Sequence, residues 1–340
     1  MNSGKNIAVL GAGIMGLCTA TILRARGHTV TLYDPAGFPA KNASAMAGGM
    51  LAPYSEIEHM PLSYIEAAQD SISFWREHGA DFKANGSLFI AHDEDRYILE
   101  RFKAHVPVGA GKNVDLEKTE SQLVKFRTGF LIPDEAHLDP QKTIASLIAK
   151  LDATKIANTC DEEGQYDFII DCTGLAANDK DLRGVKGETV IVQNKEFSLS
   201  RPVRLMHPRY PLYIVPRADN IFMIGATVIE GAGEHVSVRS ALELLSAAYS
   251  LHPSFGEAQI FNIRAGVRPA YADNLPRIKI DGNRVSCNGL FRHGFLLAPA
   301  MAACVADAIE NSTNKYMSLF NGGNDERHNQ RRAQKLSSAA

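Results

Sequence analysis

The stretch Ile7–Gly16, IAVLGAGIMG, runs from an apolar segment of strand character into three spaced glycines. Gly11, Gly13 and Gly16 permit a tight turn, a close approach of the backbone to a pyrophosphate, and packing of the next helix on the strand. The N-terminus of that helix then offers backbone N–H groups to the phosphates. The stretch therefore predicts a dinucleotide site, but by itself it does not distinguish NAD from FAD.

The residues around this stretch extend the prediction to a βαβ unit. Hydrophobic periodicity predicts a strand over 5–10, a helix over 14–26 and a second strand at Thr29–Tyr33. Asp34 follows that strand, where an acidic side chain accepts hydrogen bonds from the ribose hydroxyls of an adenosine. This position favours an unphosphorylated ribose over that of NADP.

The composition is that of a globular protein that acts on small molecules. The chain has 340 residues, 45% of them hydrophobic, and a formal net charge of -2, so we expect one large or two medium domains. Because neither sign of charge dominates, there is no electrostatic case for nucleic acid or an anionic membrane as partner. The apolar stretch 294–306 is too short to cross a bilayer and predicts a buried helix. We expect a cytoplasmic protein whose mature chain starts at residue 1.

Neither the cysteines nor the histidines indicate a metal site. Cys18, Cys160, Cys172, Cys287 and Cys304 are odd in number and have no CxxC spacing, so we expect reduced thiols rather than a disulfide framework. The eleven histidines include no HxH or HExxH pair. We predict no metal.

Further helices and strands follow from periodicity and turn residues. Helices are predicted over 62–78, 93–105, 140–151, 237–249 and 299–311, the third capped by Asp139 and the last beginning at Pro299. Strands are predicted over 86–91, 166–172 and 284–288, with a loop at 109–113. Between 188 and 227, short β-rich runs alternate with turns, which indicates an antiparallel sheet. Beyond residue 320 we expect a mobile tail.

The segment Asn42–Pro53, NASAMAGGMLAP, is crowded with small residues, which let the backbone approach a ligand closely. It resembles the corresponding loop of the D-amino acid oxidase family, in particular that of its glycine oxidase (ThiO) branch. Other segments resemble the family in the same order: DCTG at 171–174, LRGVKGE at 182–188, RPVRLMHPRYPLYIVPR at 201–217, FMIGAT at 222–227, AGVRPAYADNLPR at 265–277 and NGLFRHGFLLAPAMA at 288–302.

The resemblance implies a mixed α/β (α+β) fold with two interleaved domains. A Rossmann-like FAD-binding domain would comprise residues 1–85, 138–185 and 283–320. A substrate domain built on an antiparallel sheet would comprise 86–137 and 186–282, and 321–340 would be the mobile tail. The family forms homo-oligomers, so a dimer or tetramer is expected.

The resemblance also implies which residues contact FAD. They are Gly11, Gly13, Ile14, Met15 and Gly16 at the pyrophosphate; Asp34 and Pro35 at the ribose; Ala43 and Ser44 near the phosphates and ribityl chain; Gly48, Gly49 and Met50 along the flavin; Ile156 near the adenine; Gly174 in the second flavin motif; and Leu290, Arg292, His293, Gly294, Phe295 and Leu296 around the ring. The helix starting at Pro299 would direct its N-terminus at the flavin.

Three departures from the family pattern bear on these contacts. Asp34 replaces the more usual Glu, and His293 stands where many glycine oxidases have Asn. The small-residue loop is one residue longer than in some relatives, so that contacts at 43–50 could shift by one position. The flavin-linked cysteine of monomeric sarcosine oxidases has no counterpart, and non-covalent FAD is therefore expected.

The substrate residues follow from the need to hold a carboxylate while presenting Cα to flavin N5. A bidentate arginine is the best available clamp. Arg268 matches the substrate arginine of the family, with Arg292 as second candidate. Tyr213 matches the active-site tyrosine that orients the carboxylate, and Met50 and Val228 would form apolar walls suited to a small substrate.

The resemblance implies oxidation of glycine or another small amine, with dioxygen as oxidant, to an imine, ammonia and hydrogen peroxide. In the ThiO branch the imine supplies thiazole formation in thiamine synthesis. Three alternatives remain open at this point. They are a nicotinamide-dependent dehydrogenase, a non-catalytic flavin-binding scaffold, and an oxidase of the same family acting on sarcosine, proline or a larger D-amino acid.

Overall fold

The computed structural model describes residues 4–36, 42–151, 156–157, 165–209 and 211–322. The chain divides into two compact units, each discontinuous in sequence. The first unit comprises Met1–Lys41, Leu147–Arg183 and Arg268–Ala340. The second unit comprises Asn42–Ser146 and Gly184–Val267.

A six-stranded sheet forms the centre of the first unit. Its strands lie in the order Arg277–Asp281, Arg284–Asn288, Phe168–Asp171, Asn6–Leu10, Thr29–Tyr33 and Ile156–Ala157. All neighbours are parallel except the first two, which form an antiparallel hairpin. Parallel strands buried on both faces need continuous apolar runs, and Ile7, Ala8 and Val9 are completely buried. The predicted βαβ start and the mixed α/β fold are confirmed.

Two helices of the first unit pack against each other. The helix Ile14–Ala25 follows the glycine turn and buries Leu17, Cys18 and Leu23. Its partner, Gly294–Ile309, is apolar around most of its circumference and buried along most of its length. The buried helix expected at 294–306 is therefore present.

The predicted start of that second helix at Pro299 is wrong. The helix begins at Gly294, and Pro299 lies inside it. The Leu297 N–H donates to the His293 carbonyl at 2.8 Å and closes the first turn ahead of the proline. Proline cannot supply an N–H to the helix ladder. Burial of the surrounding apolar side chains compensates for the lost donor, since most helical stability comes from packing.

A nine-stranded sheet forms the centre of the second unit. Eight of its strands lie in the order Ile229–Glu230, Arg183–Gln193, Ile221–Gly225, Leu212–Pro216, Val203–Met206, Ser87–Ala91, Thr128–Ile132 and Lys112–Asp115, and Gln259–Ala270 pairs with Arg183–Gln193. The predicted antiparallel pairing within 188–227 is confirmed. Val203–Met206 also pairs with Ser87–Ala91, and that pair is parallel. A separate two-stranded ladder joins Met50–Leu51 to Ala136–His137.

The helices of the second unit were largely predicted. They include Ile65–His78, Arg96–His105 and Val238–Leu251. The helix Pro140–Lys150 begins at the predicted proline, and Asp139 Oδ1 accepts a hydrogen bond from the Lys142 N–H at 3.1 Å. The predicted loop at 109–113 is partly wrong, because Lys112 and Asn113 begin an exposed edge strand.

The nine-stranded sheet has a core on one face. Alternate strand residues such as Leu88, Val203, Leu205 and Ile214 pack with Leu244 of the helix Val238–Leu251. Because side chains alternate between faces along a strand, the intervening residues lie on the opposite face. They include Arg204 and Tyr213, which are paired in register.

The boundaries of the compact units differ from those of the predicted domains. Residues 42–85 and 138–146 group with the nine-stranded sheet, and 268–282 group with the six-stranded sheet. The predicted domains follow from the resemblance to the family, and that division stays a prediction. The predicted tail lies outside the described residues from 323 onward.

In the part of the chain that the structure describes, no helix combines the length and the apolar character that a membrane crossing requires. Within the same residues, no three His, Cys, Asp or Glu side chains are grouped so that they could hold a metal ion.

Candidate active site

The glycine turn at Gly11 is fixed by its neighbours in the first unit. Gly11 has a φ of +94°, and a Cβ there would lie 2.6 Å from the Cys172 carbonyl oxygen. Its N–H donates to the Tyr33 carbonyl at 2.7 Å, and the Cys172 N–H donates to the Leu10 carbonyl at 2.8 Å. The turn therefore admits no side chain, and it lies directly beside the predicted second flavin motif at 171–174.

The helix start after this turn has the form of a phosphate cradle. Gly13 occupies the N-cap and has no side chain with which to cap the helix. A Cβ on Gly16 would collide with the Gly11 carbonyl oxygen. Since the residues present leave the backbone open for close approach, they fit a dinucleotide pyrophosphate at the start of the helix, beside Ile14 and Met15.

Asp34 is buried at the end of the second strand. One carboxylate oxygen accepts a hydrogen bond from the Ala12 N–H at 2.7 Å, and the other accepts one from the Ala36 N–H at 2.9 Å. Asp34 thus fixes the glycine turn as well as lying where a ribose contact is predicted. Each oxygen has a second lone pair, and the ribose contact stays a prediction, as does that of the exposed Pro35.

The second predicted flavin segment forms a tight turn between the last strand and the buried helix. Gly289 has a φ of +78° and lies against the Tyr271 ring. The His293 N–H donates to the Leu290 carbonyl at 2.7 Å. Gly174 joins this segment to the 171–174 motif, because its carbonyl accepts a hydrogen bond from Asn288 Nδ2 at 2.9 Å. The two motifs, far apart in sequence, are therefore adjacent.

The two candidate carboxylate clamps lie on neighbouring backbone segments of the first unit. The Phe291 N–H donates to the Pro269 carbonyl at 2.9 Å, which brings the neighbours of Arg292 and Arg268 together. Both arginines are half-buried, whereas His293, Phe295 and Leu296 are buried. A pair of half-buried guanidinium groups can bind a carboxylate in a site partly shielded from water.

Three predicted residues converge within the second unit. A Cβ on Gly48 would lie 3.3 Å from Tyr213 Cε2 and 3.7 Å from Met50 Cε. Gly49 has a φ of +69°, and a Cβ there would collide with the Leu138 carbonyl oxygen. The backbone conformation and the close contact thus require glycine at position 49, and Gly48 lies close to both Tyr213 and Met50.

The preceding part of the loop forms a short 3₁₀ helix at Ala43–Met46, capped by the Asn42 side chain. Ala43 and Ser44 are half-buried. A Cβ on Gly266 would lie 3.1 Å from Met46 Cβ, so the strand leading towards Arg268 passes beside this helix. The contacts of Ala43 and Ser44 with the phosphates and ribityl chain of FAD stay predictions.

Arg217 contacts the small-residue loop, although it was not among the predicted site residues. Its guanidinium donates to the Gly48 carbonyl at 2.6 Å and to the Leu138 carbonyl at 3.0 Å. Burial lowers its pKa, but a guanidinium stays protonated in proteins. Arg217 therefore places a fixed positive charge next to the small-residue loop. It is the last residue of the YIVPR segment, which was the signal available in the sequence.

His137 also lies next to the small-residue loop and was not among the predicted site residues. It pairs with Met50 in the two-stranded ladder and is buried. Burial, followed by the positive charges of Arg217 and Lys83, lowers the pKa of His137 to about 3. The imidazole is therefore neutral at physiological pH. Its Nδ1 has no hydrogen-bond partner among the described residues.

Val228 lies apart from the Tyr213 face. It is half exposed and lines a cavity of about 310 Å³ together with Leu212 and with Arg239, Glu243 and other residues of the helix Val238–Leu251. Leu212 and Tyr213 are successive strand residues and so point to opposite faces. Val228 lines the same cavity as that helix, and the role of Val228 as a substrate wall stays a prediction. Ile156 pairs with Leu32 through its backbone, while its side chain lies outside what the structure describes.

The thiols of the described residues are poor nucleophiles. Cys18, Cys172, Cys287 and Cys304 are free and buried. A hydrogen bond with Cys172 and burial raise the pKa of Cys287, and burial raises that of Cys18 and brings that of Cys304 to about 12. Because the thiolate is the reactive form, Cys18, Cys287 and Cys304 are poorly suited to attach a flavin.

Residues 6–308 match a family described as FAD dependent oxidoreductase (DAO). The chain is 43% identical over 310 residues to a protein of Rhizobium etli named thiamine biosynthesis oxidoreductase ThiO, covering 88% of this chain and 95% of that one. It is 26% identical to a glycine oxidase of Bacillus licheniformis, covering 91% of this chain and 94% of the other. A solved structure of glycine oxidase from Geobacillus kaustophilus has the same fold, with a TM-score of 0.79, 22% identity and coverage of 92% and 96%.

Proposed function

This chain belongs to the DAO family of FAD-dependent oxidoreductases, and on that premise we propose that it is a glycine oxidase of thiamine biosynthesis. It oxidises glycine with dioxygen to an imine, which hydrolyses to glyoxylate and ammonia, and it releases hydrogen peroxide. The observation that carries this proposal is the hydrogen bond between Phe291 and Pro269. It places Arg268 and Arg292 on adjacent segments, one of which continues from the predicted flavin turn.

The cofactor is FAD, which when bound supplies a hydride acceptor at N5 of its isoalloxazine ring. Residues of the chain are expected to hold each part of FAD. Gly11, Gly13 and Gly16 leave room for the pyrophosphate at the helix N-terminus, and Asp34 lies where the ribose is expected. The turn that begins at Leu290 is expected to hold the ring.

The chain holds the substrate rather than deprotonating it with a dedicated base. Arg268 grips the carboxylate in two places, with Arg292 as a second cation. Tyr213 orients the carboxylate through its hydroxyl. Met50 limits the space beside Cα. Holding Cα in a near-attack position supplies much of the rate, since orientation alone can contribute several kcal/mol. His137, whose imidazole is neutral, adds no charge to this region.

The assembly state is part of the proposal. Exposed apolar side chains occur close together in sequence at Val238, Leu242, Tyr249 and Phe261 of the second unit. Exposed apolar side chains on one helix are typical of an interaction surface, which supports a homo-oligomer, either a dimer or a tetramer, and the cytoplasm is its proposed compartment. Light scattering of the holoenzyme should give a multiple of 37.0 kDa. A monomer at micromolar concentration would remove this part of the proposal.

The main test is a peroxide assay of the FAD-loaded protein with glycine, sarcosine and D-alanine. We expect glycine to have the highest kcat/KM. Preference for sarcosine or D-alanine would assign the chain to another oxidase of the same family. Peroxide from none of these amines, with FAD bound, would instead support a flavin-binding scaffold.

A further inference from the structure

A buried ionic cluster lies next to Met50 in the second unit. It comprises the Arg204 guanidinium and the Glu56 and Glu135 carboxylates, which are 9%, 6% and 1% exposed. Arg204 Nη2 donates to Glu56 Oε1 at 2.9 Å and lies 3.9 Å from Met50 Sδ. The cofactor and substrate contacts predicted from the sequence include none of these three charged residues.

The sheet places Arg204 directly beside Tyr213. The two residues are paired in register on antiparallel strands, so their side chains share a face and their Cβ atoms are about 5 Å apart. On its other side Arg204 is paired with Phe89, and the guanidinium lies over the Phe89 ring at 5.7 Å from its centroid. Arg204 therefore lies on the face of the sheet that carries the tyrosine expected to orient the substrate.

The segment from Met50 to Glu56 is anchored at three points. Met50 is held through its backbone by the ladder with His137. Ser55 donates to Glu135 from its N–H at 2.7 Å and from its hydroxyl at 2.6 Å. Glu56 is paired with Arg204. These anchors fix the backbone, whereas a methionine side chain has three rotatable bonds and adapts readily. The Met50 thioether remains to be fixed, and the Arg204 guanidinium is in contact with it.

Stability alone does not account for this cluster. Burying an ion pair costs several kcal/mol per ion in desolvation, and apolar replacements of such pairs are often neutral or stabilising. The cost is not fully recovered here, since Arg204 Nε is buried and has no hydrogen-bond partner among the described residues. Burial also raises the pKa of Glu135. A costly arrangement in contact with a predicted pocket wall indicates a role in that pocket.

We propose that Arg204 and Glu56 are positioning residues that hold the Met50 side chain in place and thereby restrict the substrate pocket to amino acids without a side chain. Glu56 fixes the guanidinium, and the guanidinium fixes the thioether. Neither residue touches the reacting atoms. The proposal rests on glycine oxidation as the proposed function, because it assigns Met50 to the wall beside Cα.

The first experiment is Arg204→Met, which removes the charge at similar length. In the holoenzyme we expect kcat/KM for glycine to fall about 10- to 100-fold, since small misplacements at an active site cost this much. The loss should fall mainly on KM. The ratio of D-alanine to glycine turnover should rise about 10-fold, the scale of discrimination that one methyl group provides. An unchanged ratio would overturn the proposal.

The matched control is Arg201→Met. Arg201 precedes the same strand and forms the same kind of pair, with Nε at 2.9 Å from Glu120 Oε1, but among the described residues its hydrogen bonds go to Glu120, Ser200 and Asn85 rather than to Met50 or Tyr213. We expect it to lower stability without moving the D-alanine to glycine ratio. An equal shift of the ratio in the control would show that any loss of an ion pair from this sheet has the same effect, and would overturn the specific role of Arg204.

A second variant separates positioning from folding. Arg204→Met combined with Glu56→Gln removes both charges of the pair and leaves the Glu135 carboxylate, which Ser55 still binds, so its stability should recover part of the way towards that of the wild type. We expect its altered ratio to persist. If both stability and ratio return to wild-type values, the pair is structural only and the proposal is wrong.

A readout independent of turnover is the methyl resonance of Met50 in protein labelled with methyl-¹³C methionine, assigned through Met50→Leu. We expect this resonance to shift and broaden in Arg204→Met and to stay in place in Arg201→Met. An unchanged resonance in Arg204→Met would overturn the proposal even if wild-type activity were absent. Failure of the wild type to oxidise any amine would instead count against the proposed function, and the resonance would still decide the role of the pair.

Discussion

Arg268 is the residue on which the proposed chemistry depends most. If it clamps the glycine carboxylate in a half-buried site, Arg268→Ala removes a charge-assisted pair, which costs about 2 to 4 kcal/mol in transition-state binding. We expect kcat/KM for glycine to fall about 30- to 1000-fold, with FAD retained. Steady-state kinetics at fixed dioxygen would measure the loss. Arg268→Lys should recover only part of it, because an ammonium lacks the planar two-point geometry.

The control for Arg268 is a primary amine that lacks a carboxylate. Its slow oxidation should be nearly indifferent to Arg268→Ala, since there is no carboxylate to hold. If glycine turnover survived the substitution unchanged, the carboxylate site would have to be reassigned, with Arg292 the next candidate.

We expect His137 to make the stability of the folded chain depend on pH. Its folded pKa of about 3 lies below the ordinary value of 6.5, so between these values the unfolded chain binds more protons than the native state. Stability conferred by the neutral imidazole is therefore present above about pH 6.5 and is lost as the pH falls towards 3. The slope approaches about 1.4 kcal/mol per pH unit. Urea unfolding of the wild type and of His137→Gln at pH 7 and pH 5 would measure the difference.

The variant is needed because Glu135 acts in the opposite direction. Burial raises its pKa, so its contribution to stability falls as the pH rises through its ordinary range. Comparison with His137→Gln isolates the imidazole. An equal loss of stability between pH 7 and pH 5 in both proteins would mean that His137 is solvated and titrates normally.

The candidate site residues that the sequence indicated are those whose chemistry lies within one short segment. Gly11, Gly48 and Arg268 each belong to a segment whose residue types indicate a cofactor or substrate contact. Arg204 and Glu56 could not be found in this way, because they are 148 positions apart and meet only through the order of strands in the sheet. The sequence around a single arginine in an apolar strand does not show which acidic residue pairs with it.

At the scale of elements, the turn before the buried helix depends on one close contact. Gly289 combines a φ of +78° with contact against the Tyr271 ring. That ring cannot easily move, since it is completely buried and its hydroxyl donates to Asp179 Oδ2 at 2.8 Å. Gly289→Ala should therefore displace the turn that begins at Leu290 and reduce the FAD content of the purified protein, measured by absorbance.

Gly282→Ala is the matched control for this turn. Gly282 also has a positive φ, of +57°, but a Cβ there meets no atom within 4 Å. Both variants pay a similar cost for left-handed backbone, about 1 kcal/mol. Only Gly289→Ala adds the collision with Tyr271. Equal FAD contents in the two variants would show that the contact is not needed to shape the flavin turn.

Elements were predictable where local signals and packing agree. Asp139 and Pro140 start their helix as expected, because cap and proline act on the first turn alone. The helix start predicted at Pro299 is wrong, because burial of the residues around Pro299 permits a helix that begins five residues earlier, at Gly294. The edge strand at Lys112–Asp115 was missed because its exposed polar residues have no alternating pattern.

At the scale of the whole molecule, the sequence indicates a Rossmann-like sheet and an antiparallel sheet but not the full order of their strands. The parallel pairing of Val203–Met206 with Ser87–Ala91 joins segments more than a hundred residues apart. Both are short apolar runs that could pair with many others. Strand order depends on the total burial achieved by the folded chain, which no local segment encodes.

The last prediction concerns how the whole chain holds its cofactor. The described thiols are buried, and the pKa values of Cys18, Cys287 and Cys304 are raised, so we expect FAD to be bound without a covalent bond and to be released intact by heat or acid. Because FAD binds the folded chain alone, saturating it at about 100 times its Kd should stabilise the protein by about 2.7 kcal/mol. Thermal unfolding of apoprotein with and without FAD would measure this gain. Gly13→Val, in which a side chain fills the phosphate cradle, should show no gain. Flavin that remained attached to the denatured chain would disprove the non-covalent assignment, and an undiminished gain in Gly13→Val would place the pyrophosphate elsewhere.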